Sequence, residues 1–481
     1  MRMTSKNYIN CQERKKKMQN RQINGLAEIS PTKWIPYCFL NDTLTLLLGG
    51  EATTLSEGTQ FLLGQKTGML TGGGTLYHSS APIENFGHIE TKCENGEIKQ
   101  VPTSIGNVNI AVDYYIDDYC ERSEYSEMRF SFAELNYFIP SAKACTYSEN
   151  SMMFSQMPIE LCKFEFGYRS TRVSMTLRIY SAVTAGLKCT AETKSELQLQ
   201  FTKTDNIDYL VGLYHVVRDI FTFLCNRQNI SFDRATIMGE KIVHHPAHSN
   251  GKTMVEEKKV PTSQTLVVID RYVENPESDN VASKTVRYDM VSSHFEQLFQ
   301  LILDDKVSLS SIHASVKAKN YFDLKQCLHI TAAFEHYERL FLPEIPSPTT
   351  LEVYEEVKKI IGEYADAQTG RKKKKAESLL HGLAPMLSLK DKIIKIYTGY
   401  STWPALSGIL DEWFLGKVDD LADVANKWRN ELAHEKRTYE PDERVVSAIR
   451  LVEHINYCIV LRQAGYVDEE IKAFLEYVLT H

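Results

Sequence analysis

Residues 419–437 read DDLADVANKWRNELAHEKR, and the fold of the second half of the chain is decided by this stretch. At about 100° per residue, Leu421, Val424, Ala425, Trp428 and Leu432 fall within roughly 60° of one line, so the segment predicts an amphipathic helix with that line turned to a core. On the same count Arg429 sits at the edge of the apolar stripe. Asn430 and His434 lie on the opposite side, four residues apart, where helical side chains are neighbours.

Working outward, apolar residues recur at helical spacing over 290–304, 320–341, 351–364, 376–399, 418–434 and 442–479. The whole region after about residue 288 therefore predicts helices. PEIPSP at 343–348 reads as a rigid turn, and RKKKK at 371–375 reads as a charged connector.

The first half has a different period. Val173, Met175, Leu177 and Ile179 alternate with Ser174, Thr176 and Arg178, and Leu197, Leu199 and Phe201 alternate with Gln198, Gln200 and Thr202. Alternation of this kind predicts strands with one buried face. Met128, Phe130 and Phe132, and Phe164 and Phe166, repeat the pattern. Ile207 to Cys225 interrupts it with a helical stripe, Leu210, Leu213, Val217, Ile220, Phe221 and Leu224, expected to pack on the sheet. Strands are expected again at 230–243 and 266–273, with a loop over 244–261 between them. The expected class is α+β multidomain: a β-rich N-terminal domain, sandwich or barrel-like with packed helices, followed by an all-α bundle. The expected divisions are a flexible basic arm at 1–30 containing Arg14, Lys15, Lys16, Lys17 and Arg21, a β-rich sensing or regulatory domain at 31–287, a helical connector at 288–319, and the helical domain at 320–481.

Composition sets limits on function. The 481 residues are 43% hydrophobic and 24% charged, values of a chain that folds around a core. A formal net charge of −7 argues against a surface that binds nucleic acid everywhere, so any polyanion site must be local. No run approaches the roughly 18 apolar residues of a membrane span, and the N-terminus has no apolar secretion core. The chain reads as cytoplasmic, without membrane partners. Its ten cysteines are scattered singly with no C-x-x-C pair, which predicts reduced thiols and no metal ligand set.

The outward side of the 418–434 helix carries a cation, an amide and an imidazole. RNA supplies its own nucleophile, the 2′-OH beside the scissile phosphate, so a protein that cuts it must move protons and stabilise charge on the phosphorane. No metal or other cofactor is demanded. His434 exchanges protons near neutral pH, Arg429 holds phosphate oxygens bidentately, and Asn430 orients the imidazole or the phosphate. One helix offers one histidine, whereas transesterification benefits from a base and an acid. A homodimer or higher even oligomer with two such helices face to face would supply both.

Arg429, Asn430 and His434 match the R-N-x-x-x-H form of the R-x(4 to 6)-H motif, and residues 320–481 resemble a HEPN domain. That resemblance implies a metal-independent endoribonuclease with paired motifs at a dimer interface, of the kind found in toxin and antiviral systems. The layout, β-rich first and helical second, looks like that of ApeA-type anti-phage proteins, which implies abortive infection, a phage-derived trigger and an RNA target, tRNA among the candidates. An acidic residue on the first helix of HEPN-like folds lies near the motif arginine; here the residue is Glu335, expected to orient Arg429. Lys427, Lys436 and Arg437 are candidate RNA contacts. Some members carry a tyrosine two residues after the histidine; this chain has Lys436, so regulation through that tyrosine is not expected. The competing reading is a non-catalytic HEPN-like module that binds RNA or dimerises.

Other signals are weaker. His244, His245 and His248 form a loop cluster with no acidic or cysteine ligand at metal spacing. Gly251, Lys252 and Thr253 imitate the end of a phosphate loop, but Pro246 replaces its first glycine and no helix follows. Gly72, Gly73 and Gly74 read as a turn.

Overall fold

The computed structural model describes residues 23–479 except 31–32, 41–42, 49–66, 71–74, 79–88, 95–96, 103–105, 118, 120–122, 149–150, 156, 185–189, 231, 233, 250–251, 270–284, 321–322, 343–347, 384–386, 400–416 and 435–440. The basic residues expected in an N-terminal arm, and Gly72 to Gly74, lie outside the described residues. The chain divides into two compact units: Met1–Val217 with Ser231–Ser283, and Arg218–Ile230 with Lys284–His481. It is a mixed α+β protein with an N-terminal β-sheet unit and a C-terminal helical bundle. No helix among the described residues is long and apolar enough to cross a membrane.

In the first unit β1 (Ile23–Ser30), β2 (Lys33–Leu40), β3 (Thr43–Leu48) and β8 (Gly106–Ala111) form one antiparallel sheet. An arm over 1–30 is thus overtaken by a strand from Ile23 onward. The larger sheet contains β4 (Thr67–Leu70), β5 (Thr75–His78), β9 (Tyr114–Asp117), β10 (Ser123–Phe130), β13 (Ile159–Tyr168), β14 (Thr171–Thr184), β15 (Thr190–Thr204), β16 (Arg234–Ser249) and β17 (Lys252–Val268). Its order is β13-β14-β15-β10-β16-β17-β9-β5-β4, open at β13 and β4, so it does not close into a barrel among the described strands. β6 (Ile89–Glu94) with β7 (Glu97–Pro102), and β11 (Cys145–Ser148) with β12 (Ser151–Phe154), are separate hairpins.

Register aligns the alternating residues into one apolar face. Leu177 stands opposite Leu197, Met175 opposite Leu199, and Met128 between Leu199 and Ile237, and these six side chains are buried. Burial of such a face is the main force holding the sheet together. The opposite face is not simply solvent. Thr176 and Gln198 are paired across the strands and buried, and the helix α1 (Ala133–Phe138) lies against β15, with Asn136 accepting from the Ser195 amide at 2.9 Å.

The expected loop over 244–261 is instead the far end of a long ribbon, β16 and β17, paired without a break from Arg234↔Val267 to Ser249↔Lys252. Only Asn250 and Gly251 separate the paired ends, and Asn-Gly is the dipeptide that two-residue hairpin loops favour most. Pro261 lies in this ribbon opposite Glu240, and β17 meets its other neighbour, β9, at Thr265 to Val268. The register sets Glu257 opposite His244 and Glu256 opposite His245.

The β13–β14 hairpin turns through Arg169 (φ 44°) and Ser170 (φ 66°), two left-handed residues with no glycine. Side chains offset part of the strain: Thr171 Oγ1 donates to the Tyr168 carbonyl at 2.7 Å, and the Arg169 guanidinium lies 5.4 Å from the Tyr168 ring centroid. Ser170→Gly should therefore raise stability by about 0.5–1 kcal/mol, the relieved strain exceeding the added chain entropy, as read from the midpoint of denaturant unfolding. A lower midpoint would show that the turn carries no such strain.

The helix α2 (Ile207–Cys225) has its first part, including buried Leu210, Leu213 and Tyr214, in the β unit. From Arg218 the helix and the segment after it belong to the bundle, so only the first part packs where the whole helix was expected. The bundle comprises that end of α2 with α3 (Tyr288–Val291), α4 (Phe295–Leu303), α5 (Leu324–Phe341), α6 (Pro348–Asp366), α7 (Gly370–Gly382), α8 (Leu389–Gly399), α9 (Val418–Ala433), α10 (Glu443–Ala464) and α11 (Asp468–Val478). α4 packs on α10, so the region read as a connector is part of the bundle core. α10 is buried on nearly every side and contacts α4, α5, α9 and α11. Asp442 caps its start by accepting from the Val445 amide at 2.9 Å. Gly465 (φ 104°) ends it, with Gly465 N–H on the Arg462 carbonyl and Tyr466 N–H on the Leu461 carbonyl. The expected single stripe over 442–479 is thus two helices, and RKKKK lies inside α7 rather than in a connector.

Candidate active site

α9 seats its buried residues, Leu421, Ala422, Ala425, Trp428 and Leu432, against α5, α8 and α10. Asp419 and Asp420 open the helix where its positive end favours them. Because this face is fixed by packing, the orientation of the opposite side is fixed as well. Asn430 and His434 are exposed, and the Arg429 side chain is 33% exposed at the boundary.

Arg429 is held from the neighbouring helix. Its Nη2 lies 2.8 Å from Oε1 and 3.0 Å from Oε2 of Glu335 on α5. The ion pair anchors one terminal nitrogen of the guanidinium and leaves its other N–H groups to donate elsewhere. Nη1 also reaches Asn430 Oδ1 at 3.4 Å, a long bond that brings two members of the motif together. Asn430 Nδ2 and Asn426 Oδ1 are 3.5 Å apart.

His434 is the C-cap of α9 rather than a residue of its interior, at φ −105° and ψ 15°. Its amide still bonds the Asn430 carbonyl at 3.2 Å, so it continues the turn on which Asn430 stands. Its imidazole is exposed and has no recorded partner among the described residues. Lys427 is exposed on α9; Lys436 and Arg437 lie outside the described residues.

Sequence reasoning missed the polar groups that hold α5 and α10, the helices on which α9 rests. Glu338, one turn beyond Glu335 on α5, is buried and lies 3.1 Å from Lys392 Nζ of α8. On α10 the buried Glu453 accepts from Asn226 Nδ2 at 3.1 Å and from His313 Nε2 at 3.0 Å. Burial alone would raise its pKa. The charge and hydrogen bond of His313, with Asn226, outweigh that and hold the carboxyl at about 2. Beside it, burial lowers the pKa of His454, whose Nδ1 bonds the Arg450 carbonyl at 2.7 Å. The only sequence signal for this cluster was the presence of charged residues at core positions of helical stripes.

Comparisons with protein-family models, with curated proteins and with solved structures return no match for this chain.

Proposed function

We propose that this chain is a metal-independent endoribonuclease of the HEPN type, acting in an anti-phage or toxin system, with Arg429, Asn430 and His434 as its catalytic residues. The observation that carries this reading is an exposed imidazole one turn after Asn430, on a helix whose Asn430 also bonds Arg429, an arginine anchored by Glu335. The resemblance of the R-N-x-x-x-H spacing to that family supplies the reaction: attack of the ribose 2′-OH on the adjacent phosphate, with proton transfer through His434 and charge stabilised by Arg429. Asn430 orients the phosphate or the imidazole. A second copy of the chain provides the second histidine and arginine across a twofold axis. The β unit is assigned the sensing or restraining role.

The test is purified protein with total cellular RNA, tRNA included, in excess EDTA. Cleavage is expected to persist in chelator and to be lost in Arg429→Ala. Cleavage that stops with EDTA and returns with a divalent cation contradicts the mechanism. RNA that is bound and never cut, even with the trigger present, assigns the bundle to the non-catalytic reading.

Glu335 acts through Arg429 rather than on substrate. Glu335→Gln should lower kcat by roughly 10- to 100-fold, as expected for a catalytic group allowed to drift from its productive position. Glu335→Asp, which restores the charge, should recover part of the loss. Equal activity of Glu335→Gln and the wild type would mean that the ion pair only stabilises the bundle.

A further inference from the structure

α6 and α7 pack against each other as a helical hairpin, joined through residues 367–369. α7 begins with Gly370, Arg371, Lys372, Lys373, Lys374 and Lys375. A helix N-terminus carries positive partial charge from its unbonded amides, and natural helices place acids there. α7 has no acidic residue in its first turn and no side-chain cap from Thr369, and places its cations where the helix itself repels them.

The cations are sorted by face. Ala376 is buried, Leu380 is half-buried, and Lys373 is half-buried with Nζ 3.9 Å from Asp366 at the end of α6. At about 100° per residue these three lie within roughly 60° of one another, on the side packed against α6. Arg371, Lys374 and Lys375 occupy the arc opposite and Lys372 its flank, all exposed, and none has a carboxylate partner among the described residues. α6 carries Glu352, Glu355, Glu356, Glu363 and Asp366, yet only Asp366 engages the run. A protein of net charge −7 thus concentrates unneutralised positive charge on one helical face. At the same end of the hairpin, the last turn of α6 exposes Tyr364 (53%), with Ile360 (64%) one turn earlier.

Four unneutralised cations with an exposed aromatic ring nearby are what a single-stranded nucleic acid requires: charge for the phosphates and a flat surface for a base. An acidic protein or an anionic membrane would use the charge but has no need of the ring. Resting on the RNA reading above, we propose that the tip of the α6–α7 hairpin is an RNA-docking site separate from the cleavage residues. Arg371, Lys372, Lys374 and Lys375 contact the backbone, and Tyr364 stacks on a base.

The experiment uses the full chain carrying His434→Ala, so that binding is read without cutting, and a labelled single-stranded 20-nucleotide RNA of mixed sequence over a salt series. Changing Arg371, Lys372, Lys374 and Lys375 together to Gln should weaken binding by at least about tenfold. The slope of log K against log salt should become shallower by up to about 3, since each single-strand phosphate contact contributes about 0.7. Tyr364→Ala should weaken binding roughly tenfold with the slope unchanged. The quadruple variant should melt no lower than its parent, because it removes repulsion at a helix start; if it melts lower, the pair Lys372→Gln with Lys375→Gln carries the test. Unchanged affinity and slope overturn the proposal, as does hairpin-dependent binding to phosphatidylserine vesicles or an acidic peptide but not to RNA. In the chain with His434 intact, the docking variant should raise KM and leave kcat. No cleavage by any chain, with the salt slope still dependent on the hairpin, would defeat the nuclease reading alone. Cleavage with KM unchanged in the variant would defeat the docking site alone.

Discussion

Replacing His434 with alanine is expected to lower RNA cleavage by about 10²- to 10⁴-fold, the range over which a positioned general acid or base contributes. The same change should leave the fold nearly untouched. His434 stands at the exposed end of α9, outside the packed face, and its imidazole has no recorded partner among the described residues. Surface substitutions of this kind usually shift stability by no more than about 0.5 kcal/mol. A large loss of rate without a shift in unfolding therefore separates a chemical role from a structural one. On the proposed two-copy site, mixing active chains with an excess of His434→Ala chains should suppress cleavage beyond simple dilution. Activity proportional to the active fraction would argue that each chain cuts alone.

The second large effect concerns stability. Glu453→Ala should destabilise the helical unit by about 3–5 kcal/mol, because the change leaves the His313 and Asn226 donors buried without their acceptor. At the size of this bundle that corresponds to a fall in Tm of about 10 °C. The pH dependence follows from the same geometry. The Glu453 carboxyl titrates near 2 in the folded chain, below the ordinary glutamate value of about 4.3, so its ionised form is favoured by folding. Its contribution is fully present above the ordinary value and is lost as pH falls through that value towards 2. Glu453→Gln should flatten this part of the acid-unfolding curve. A Glu453→Ala chain within about 1 kcal/mol of the wild type would show that the cluster is not what holds α10 to the segment after α2.

Several elements were legible because their residues repeat with the period of the structure. In α9, Leu421, Ala425, Trp428 and Leu432 are buried and Asn430 and His434 are exposed, as the 100° count requires; Ala422, too small to mark a stripe, was missed. In β14 and β15 the two-residue period places Met175 and Leu177 beside Leu199 and Leu197. Elements were misread where charge was taken as a break. Lys and Arg are good helix formers, so RKKKK starts α7 instead of interrupting the bundle. The ribbon of β16 and β17 was hidden by its polar sequence, although the sequence Asn250-Gly251 is a hairpin signal.

Long-range pairings lay beyond periodicity. Glu335 and Arg429 are 94 residues apart, and only the family resemblance pointed to their meeting. Asn226, His313 and Glu453, separated by as many as 227 positions, had no such guide. A stripe tells which side of a helix is inside but not which neighbour it meets, and buried polar clusters depend on the neighbour.

The chemistry of the cut ends tests the central claim most directly. RNA fragments made by the wild-type protein in EDTA should carry 2′,3′-cyclic phosphate at one side of each break and 5′-hydroxyl at the other, and these ends should be absent with His434→Ala. Fragments with 3′-hydroxyl and 5′-phosphate would mean that water or a metal-bound hydroxide attacks instead of the ribose, and the roles given to Arg429, Asn430 and His434 would be wrong.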